Sequence, residues 1–247
     1  MHIRNEEDWA GMRAAGAVVR ETIEAMRRAV EPGISTAQLD AIAARALRDR
    51  GARSAPRLVY DFPGETCLCV NEEIVHGIPS TKRILQEGDV VTLDVTVEKD
   101  GYMADAAITV PVGRVPARVA KLVDATRRTL ERALREVRPG RRAFEIGGLV
   151  ERTANREGLA VVRALQGHGI GRTIHEDPMM PNWADPEARD VLDENLVITI
   201  EPILSLGSGE SYEGDDGWTI LAADGAWSAH FEHTIVVRPD GPVLLTG

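Results

Sequence analysis

The first thirty residues carry a single apolar stripe at helical spacing. Hydrophobic or small residues recur at alternating intervals of three and four, at Trp9, Met12, Gly16, Val19, Ile23, Met26 and Val30. This period predicts an amphipathic helix that has Asn5 as its N-cap and ends before Pro32-Gly33. A second helix is predicted from Ser35 or Thr36 to Gly51.

A β-hairpin is predicted after a segment of loop and strand that runs through His76-Gly77-Ile78-Pro79. Its two strands are VVTLDVTV and YMADAAITV, joined by a turn at Lys99-Asp100-Gly101. A four-residue loop over Glu98–Gly101 would place Asp94 directly opposite Asp105 on the partner strand.

The first strand of this hairpin has one wholly apolar face. Its members alternate along the strand at Val91, Leu93, Val95 and Val97. Asp94 therefore lies on the other face, between Thr92 and Thr96. Because helices are expected to cover the apolar face, the face with Asp94 is predicted to line a cavity.

The second half of the chain repeats these signals at a constant offset. Helices are predicted from about Ala117 to Val137 and from about Phe144 to Gly158, and strand-like segments return as VITIEPIL and FEHTIVV. Matching positions lie 107 residues apart: Pro32-Gly33 and Pro139-Gly140, Gly51 and Gly158, Leu85 and Leu192, 90–95 and 197–202. Asp94 thus falls on Glu201. We expect one domain over 1–247, built from two halves (roughly 5–110 and 116–240) around a pseudo-twofold axis.

Four carboxylates are candidates for a metal centre on that axis. Asp94 and Asp105 come from the first hairpin, while Glu201 and Glu232 belong to the second half. Any one of them alone is best explained as a solvated or ion-paired residue. Opposed anions repel unless a cation lies between them, so the four together favour metal binding. With one neutral imidazole, this set suits two divalent first-row ions about 3.5–4 Å apart.

His168 can provide that imidazole, because the glycines beside it in GHGIGRTIHEDP allow close backbone approach. His175 follows seven residues later, and His76 lies in VHGIP. A lone loop histidine is usually an ordinary polar residue, but three beside a carboxylate cluster indicate a functional site. The other histidines lack this context and are expected at the surface or behind the ligands: His2, His230 and His233.

Composition narrows the possible classes of function. The chain has 29 Lys and Arg against 39 Asp and Glu (29 − 39 = −10) and no long basic block, so direct nucleic-acid binding is not expected. It has neither a signal peptide nor an apolar run of the roughly 18 residues that a membrane span needs. Cys67 and Cys69 lie two apart on one strand face, which is unsuited to a disulfide. These features favour a cytoplasmic enzyme.

Several segments together resemble the type I methionine aminopeptidases. They are VNEEIVHGIP, GDVVTLDVTVEKDGYMADAA, GHGIGRTIHEDP, ITIEPIL, DGWTI and SAHFEHTIVV, and the resemblance covers essentially the whole chain. It implies an α+β pita-bread fold, in which helices flank an antiparallel sheet with two related halves. It also implies a monomeric enzyme that removes the initiator methionine from nascent polypeptide N-termini, free or at the ribosome, preferably before a small second residue.

The resemblance further implies a role for each candidate residue. Two divalent cations (Co, Mn, Fe(II) or Zn) would be held by five ligands: Asp94, Asp105, His168, Glu201 and Glu232. His76 and His175 would contact the scissile peptide, Thr96 would lie beside the substrate's amino group, and Glu201 would also receive the proton of the attacking water.

The methionine side chain would occupy an apolar pocket that includes Phe62, Cys67 and Trp218. The chain departs from the family around this pocket, where Pro56, Val59 and Ile174 stand in place of the Cys, Tyr and Phe that are common there. Val75 before His76 and Gln166 before His168 are further departures. Since none of them is a predicted ligand, hydrolysis is expected to persist while the side-chain preference changes.

Two other interpretations stay open at this point. An aminopeptidase or dipeptidase that acts beside proline would share the fold, although such relatives usually carry a large extra N-terminal domain. A pita-bread protein without catalysis could serve as a binding module. Unpaired buried carboxylates would be costly to keep without metal, which argues against this last interpretation.

Overall fold

Capping and stop signals mark ends of three of the four long helices. The Asn5 side chain accepts a hydrogen bond from the Asp8 backbone at the start of the first helix. Ser35 and Gln38 form a reciprocal capping box at the start of the second. Gly158, in the left-handed conformation, ends the last. These boundaries confirm the helices predicted from the apolar periodicity.

A computed structural model describes residues 1–247. The helices are α1 (Glu6–Ala29), α2 (Thr36–Asp49), α3 (Ala55–Tyr60), α4 (Ala117–Glu136) and α5 (Ala143–Glu157). The strands are β1 (Arg53–Ser54), β2 (Cys67–Val70), β3 (Glu73–Val75), β4 (Val90–Lys99), β5 (Tyr102–Pro111), β6 (Ala160–Val161), β7 (Gln166–Gly169), β8 (Glu176–Pro181), β9 (Val197–Ile200), β10 (Ile203–Ser205), β11 (Ser211–Glu213), β12 (Ile220–Ala222), β13 (Ser228–His230), β14 (His233–Val236) and β15 (Val243–Leu244).

Every strand pair is antiparallel. In the first half β4 pairs with β1, β2 and β5. In the second half a five-stranded sheet has the order β15-β14-β9-β7-β8. Two three-stranded sheets, β13-β10-β6 and β11-β12-β3, complete the β structure. None of the helices is both long and apolar enough to cross a membrane.

The apolar strand faces pack against the helices, as predicted. Val91, Leu93, Val95 and Val97 are fully buried in one core cluster with residues of α1 and α2. In the second half, residues of β9 and β14 pack with residues of α4 and α5 in a separate cluster. The opposite strand faces are therefore left to form a site between the helix layers.

The 107-residue offset reappears in the backbone contacts of the two halves. Two backbone hydrogen bonds of the first half, Gly33–Leu85 and Thr36–Arg83, recur in the second half as Gly140–Leu192 and Ala143–Asp190. Two strand pairings recur in the same way: Ser35–Ile84 as Arg142–Val191, and Ser54–Val97 as Val161–Leu204. Both halves thus begin with two long helices and continue into antiparallel strands, in agreement with the predicted pair of related halves.

The predicted register of the β4–β5 hairpin is wrong by two residues. Lys99 pairs with Tyr102, so Asp105 lies opposite Thr96 and Asp94 lies opposite Ala107. The cause is the Asp100-Gly101 turn, whose φ angles of 52° and 84° make a tight two-residue loop. Asp94 and Asp105 still share one face, as diagonal rather than direct neighbours.

Two regions contain structure that the sequence patterns did not predict. The segment before β2 includes the short helix α3, which has Pro56 in its first turn. The long connection from Ser205 to Ala229, for which no strand was predicted, contains the β11–β12 hairpin, and β12 pairs with β3. Both departures lie beside the cavity described below.

Gly147 in α5 allows close contact with the segment after β8. A Cβ at Gly147 would lie 2.2 Å from the Trp183 carbonyl oxygen. One at Gly148 would meet its nearest atoms at 3.0 Å (Arg152 side chain) and 3.2 Å (Ala184 Cβ), with the Ala184 Cα at 3.7 Å. We expect Gly147→Ala to lower the free energy of unfolding by about 1–3 kcal/mol because of overpacking. Gly148→Ala is the control, in which the gain in helix propensity offsets the tighter contact. Equal melting temperatures of the two variants would contradict this packing.

Candidate metal centre

The two halves meet where β5 runs beside the segment from β13 to β14. The Asp105 N–H donates to Thr234 Oγ1 at 2.8 Å, and this hydroxyl donates to the Asp105 carbonyl at 2.7 Å. Glu232 N–H donates to the Ala107 carbonyl at 2.9 Å. These bonds fix the backbone of an acidic residue from each half, so the carboxylates of Asp105 and Glu232 face the same space.

Three of the predicted ligands lie closest together. Ligand atoms of Asp105, His168 and Glu232 are all within 4.8 Å of one another, and all three residues are buried. Glu201 joins them, with its Oε1 3.8 Å from His168 Nε2. Asp94 is half-buried and lines the adjoining cavity together with Asp105. The five residues thus form one centre, with Asp94 on its open side.

Burial and mutual repulsion raise the carboxyl pKa values. Desolvation raises the pKa of Asp105 to about 6. For Asp94, Glu201 and Glu232, desolvation comes first and the charge of Asp105 second, and their pKa values rise well above the ordinary range. Four carboxylates cannot all ionise so close together without a counter-charge.

Unpartnered atoms indicate what that counter-charge is. Asp105 Oδ1 and Glu232 Oε1 are buried and accept no hydrogen bond. Buried acceptors of this kind are rare in proteins and call for an explanation such as a bound ion. Carboxylate oxygens with one imidazole nitrogen are suitable ligands for divalent metals, so the residues present fit a metal centre.

His168 is held in the tautomer that a metal ligand needs. Its Nδ1 lies 2.9 Å from the Gly169 carbonyl, which can only accept, so Nδ1 carries the proton. Nε2 therefore carries no proton, and its lone pair is directed toward Glu201. Desolvation, followed by the nearby His175, lowers the pKa of His168 to about 4, which keeps the ring neutral.

His76 and His175 lie at the mouth of the centre, where both are exposed. The His175 ring meets that of His168 edge to face at 4.4 Å, and its Nδ1 lies 2.6 Å from the Tyr60 hydroxyl. His76 has a φ of 58°, an uncommon conformation for a non-glycine residue and one that recurs at functional sites. Desolvation lowers the pKa of both histidines, with a further contribution from His175 at His76.

A cavity of about 280 Å³ opens over this centre. Its polar wall consists of His76, Asp94, Thr96, Asp105 and His175. Its other wall is largely apolar, formed by Pro56, Tyr60, Phe62, Cys67, Ile174 and Trp218. A ligand in the cavity would therefore contact reactive groups on one side and an apolar surface on the other.

Segments outside the main sheets position the apolar wall. Phe62 follows α3, and Trp218 lies in the tip of the β11–β12 hairpin, where Asp216 accepts hydrogen bonds from the Trp218 and Thr219 backbones. The two aromatic rings meet edge to face at 5.2 Å. Cys67 pairs with Asp94 across β2 and β4, so the apolar wall adjoins a carboxylate directly.

The structure brings the residues selected from the sequence together. Eight of the eleven line the cavity, and His168, Glu201 and Glu232 adjoin it through Asp105 and His175.

Among the departures from the family pattern, Pro56 and Ile174 line the cavity. Val59 is exposed, Val75 is buried and Gln166 is half-buried in β7, and none of these three lines the cavity.

The sequence patterns missed one residue at the centre and left the place of another open. Tyr60 was not selected, although its hydroxyl contacts His175. His230 was expected either at the surface or behind the ligands, and the structure shows the second: it is only 3% exposed and its Nε2 lies 3.6 Å from both Glu201 and Glu232. Its position at the end of β13, two residues before Glu232, was the available signal.

Comparison with known proteins assigns the family. The sequence pattern of metallopeptidase family M24 matches residues 10–239.

This chain belongs to metallopeptidase family M24.

Two curated relatives are similar over nearly their whole length. Methionine aminopeptidase 2 of Bacillus subtilis (strain 168) is 38% identical, and the match covers 100% of this chain and 99% of that protein. The methionine aminopeptidase of Aquifex aeolicus (strain VF5) is 36% identical, with 95% and 94% covered. The resemblance to methionine aminopeptidases inferred from the motifs is thereby confirmed.

Solved structures confirm the pita-bread fold of this M24 metallopeptidase. The methionine aminopeptidase of Thermotoga maritima matches with a TM-score of 0.96 at 34% identity, covering 100% of this chain and 99% of that one. The prolidase of Pyrococcus furiosus matches with a TM-score of 0.80 at 21% identity, covering 99% of this chain and 65% of that one, and this similarity shows the shared fold alone. Membership of family M24 implies the use of a divalent metal, which the carboxylate–histidine centre is suited to hold.

The raised carboxyl pKa values make the stability of the metal-free M24 peptidase depend on pH. A carboxyl whose pKa is higher in the folded state binds more protons when folded. Its stabilising contribution is therefore present at low pH and lost as the pH rises through the folded pKa, from about 6 for Asp105 upward for the others. The histidines with lowered pKa have the opposite effect, but only below about pH 6.5.

We therefore expect the melting temperature of the metal-free protein to fall as the pH rises above about 6.5, where the histidines no longer oppose the effect of the carboxyls. A loss of about 1 kcal/mol lowers it by about 2–4 °C in a chain of this size. Divalent metal should abolish the fall, and Asp105→Asn should reduce it because Asp105 raises the pKa of the other three carboxyls. A melting temperature in chelator that is constant over this range would contradict the electrostatics described here.

Proposed function

We propose that this M24 metallopeptidase is a methionine aminopeptidase, which removes N-terminal methionine from polypeptides by metal-dependent hydrolysis. One observation carries the proposal: a carboxylate–histidine centre adjoins an apolar cavity in a chain that is similar to curated methionine aminopeptidases over its full length. The proposal includes a single catalytic domain over 1–247, a monomeric state, and action on nascent polypeptides, free or at the ribosome. A cytoplasmic location is part of it, supported by the free, buried Cys67 and Cys69, which suit a reducing compartment.

The proposed ligands of two divalent cations are Asp94, Asp105, His168, Glu201 and Glu232. The cluster of Asp105, His168 and Glu232 supports one ion, and Asp94, on the cavity side of Asp105, supports a second. Co, Mn, Fe(II) and Zn all accept such a mixed oxygen and nitrogen set. When bound, these ions would lower the pKa of a coordinated water and polarise a carbonyl oxygen.

Glu201 is the proposed proton acceptor of the reaction. Its carboxylate reaches the centre beside His168, and the Thr199 hydroxyl donates to its Oε1 at 3.2 Å, which orients the group. Burial raises the pKa of Glu201, which increases its affinity for the proton of an attacking water. Glu201 would then pass this proton to the leaving amine.

His175 and His76 are proposed to bind the scissile peptide. Partial desolvation raises the pKa of Tyr60 and lowers that of His175, so both groups are neutral, and the phenol is proposed to donate a hydrogen bond to His175 Nδ1. Nε2 of His175 then carries a proton that it can donate to the carbonyl oxygen as negative charge develops there. His76, at the same mouth of the cavity, would hydrogen-bond the amide of the leaving residue, and Thr96 would lie beside the free amino group.

The apolar wall is proposed to bind the methionine side chain. Phe62 and Trp218 offer ring edges and faces, and Cys67 and Ile174 complete the surface. A thioether against an aromatic ring contributes about 0.3–1.5 kcal/mol per contact. Pro56 and Ile174 shape the part of this wall that departs from the family pattern, so the side-chain preference is expected to be set there.

Hydrolysis of three peptides tests the function. With Mn, Co or Fe(II) added, we expect release of methionine from Met-Ala-Ser, slower release from Met-His-Ser, and no cleavage of Ala-Pro peptides. Asp105→Ala should lower metal affinity and turnover by more than about 100-fold, since it removes a ligand rather than a residue behind one. Cleavage of Ala-Pro but not of Met-Ala would refute the proposal, and metal binding without any cleavage would favour a binding module.

The contact between Tyr60 and His175 gives a finer test of the mechanism. Tyr60→Phe removes the group that fixes the His175 tautomer, and we expect kcat to fall about tenfold, equivalent to about 1.4 kcal/mol, with little change in KM. Tyr212→Phe makes the same chemical change at an exposed strand residue and is the control. Unchanged kcat in Tyr60→Phe would show that His175 needs no such partner.

A further inference from the structure

His230 is a buried histidine whose ring has no hydrogen-bond partner. It ends β13, two residues before Glu232, and only 3% of its surface is exposed. Neither Nδ1 nor Nε2 contacts a donor or acceptor at hydrogen-bonding distance. A buried imidazole with both nitrogens unpaired costs free energy, so its retention here requires a reason.

The His230 backbone is fixed by the first half of the chain. Its N–H donates to Thr109 Oγ1 at 2.8 Å, and the Thr109 hydroxyl donates to the His230 carbonyl at 3.0 Å. Because that hydroxyl proton is used, the Thr92 hydroxyl must be the donor in the 2.8 Å contact with Thr109. Two threonines thus hold the residue from which the ring projects.

The ring is directed at two of the proposed metal ligands. His230 Nε2 lies 3.6 Å from Oε2 of Glu201 and 3.6 Å from Oε2 of Glu232. The other oxygen of Glu201, Oε1, lies on the side of His168 and accepts from Thr199. Each oxygen of Glu201 therefore faces a different imidazole: Oε1 faces the proposed ligand His168, and Oε2 faces His230.

We propose that His230 is a positioning residue, whose Nε2–H donates to the Oε2 atoms of Glu201 and Glu232 and so orients both carboxylates for metal binding. An N–H···O bond spans about 2.7–3.2 Å, so a movement of roughly half an ångström closes the contact. The donor role uses the oxygen that points away from His168, which leaves Glu201 Oε1 and Glu232 Oε1 for metal. This inference rests on the proposed metal centre and concerns a residue outside its five ligands.

Metal affinity of two variants tests the donor role. His230→Leu removes the donor, and His230→Gln retains a side-chain N–H. Loss of a group that orients metal ligands typically costs 10–100-fold in affinity. By calorimetric titration of metal-free protein with Mn(II), we expect His230→Leu to bind 10–100-fold more weakly and His230→Gln to bind within about threefold of the unmodified protein. Turnover of Met-Ala-Ser should follow the same order.

His233→Leu and His233→Gln are the matched controls. His233 lies in the same segment but bonds Thr246 through Nδ1, away from the carboxylates. We expect metal affinity and the Co(II) absorption spectrum to be unchanged in both. If His230→Leu binds Mn(II) as tightly as the unmodified protein, His230 has no positioning role. If His230→Gln loses as much affinity as His230→Leu and its Co(II) spectrum changes, His230 is instead a direct ligand, and the proposal is wrong.

A measurement on the unmodified protein covers the case in which His230→Leu fails to fold. In protein labelled with ¹⁵N-histidine and loaded with Zn(II), the donor role requires a proton on His230 Nε2 and none on Nδ1, and His230→Gln assigns the resonance by its disappearance. An unprotonated Nε2 would overturn the proposal. Absence of metal binding by the unmodified protein would refute the proposed function instead, so the two failures are distinguishable.

Discussion

Four carboxylates that share one buried space are the constraint on which this structure depends. Each raises the pKa of its neighbours, and Asp105 contributes to the shift of the other three. Left to itself, such a cluster would separate or become solvated. It stays together because Asp105 and Glu232 are fixed to the opposite half by main-chain and threonine hydrogen bonds, and because each half is held rigid by its own helix-covered sheet.

Two threonines at this interface link the halves by the same pattern of hydrogen bonds. The Thr234 hydroxyl, from the second half, bonds the backbone of Asp105, and the Thr109 hydroxyl, from the first half, bonds the backbone of His230. Each hydroxyl accepts from one backbone N–H and donates to the carbonyl of the same residue, as a paired strand would. A short polar side chain thus continues the sheet hydrogen bonding between the halves, which keeps the acidic side chains within reach of one another.

Much of the fold and of the metal centre could be predicted from the sequence, because apolar periodicity and a constant repeat offset can be read directly from the residues. The apolar alternation around Asp94 and the 107-residue shift to Glu201 predicted the helix layers and the shared face. The β4–β5 register was wrong because the loop was counted as four residues, whereas Asp100-Gly101 closes it in two. The role of Tyr60 depends on a contact with His175 across 115 residues of sequence, which no pattern within one helix reveals. The role of His230 depends on which way its ring points toward Glu201 and Glu232, which its position near Glu232 suggests but does not determine.

The two halves differ most where their strands are connected. The first half turns within two residues at Asp100-Gly101, while the second leaves the sheet after β10 and returns at β13 by way of the β11–β12 hairpin. Phe62 and Trp218 both lie in segments with no counterpart 107 residues away: the end of α3 and the tip of that hairpin. Duplicated elements thus carry most of the reactive groups, and unmatched insertions carry the aromatic contacts. Substrate preference can therefore change through the insertions during evolution while the inherited hydrolytic chemistry stays intact.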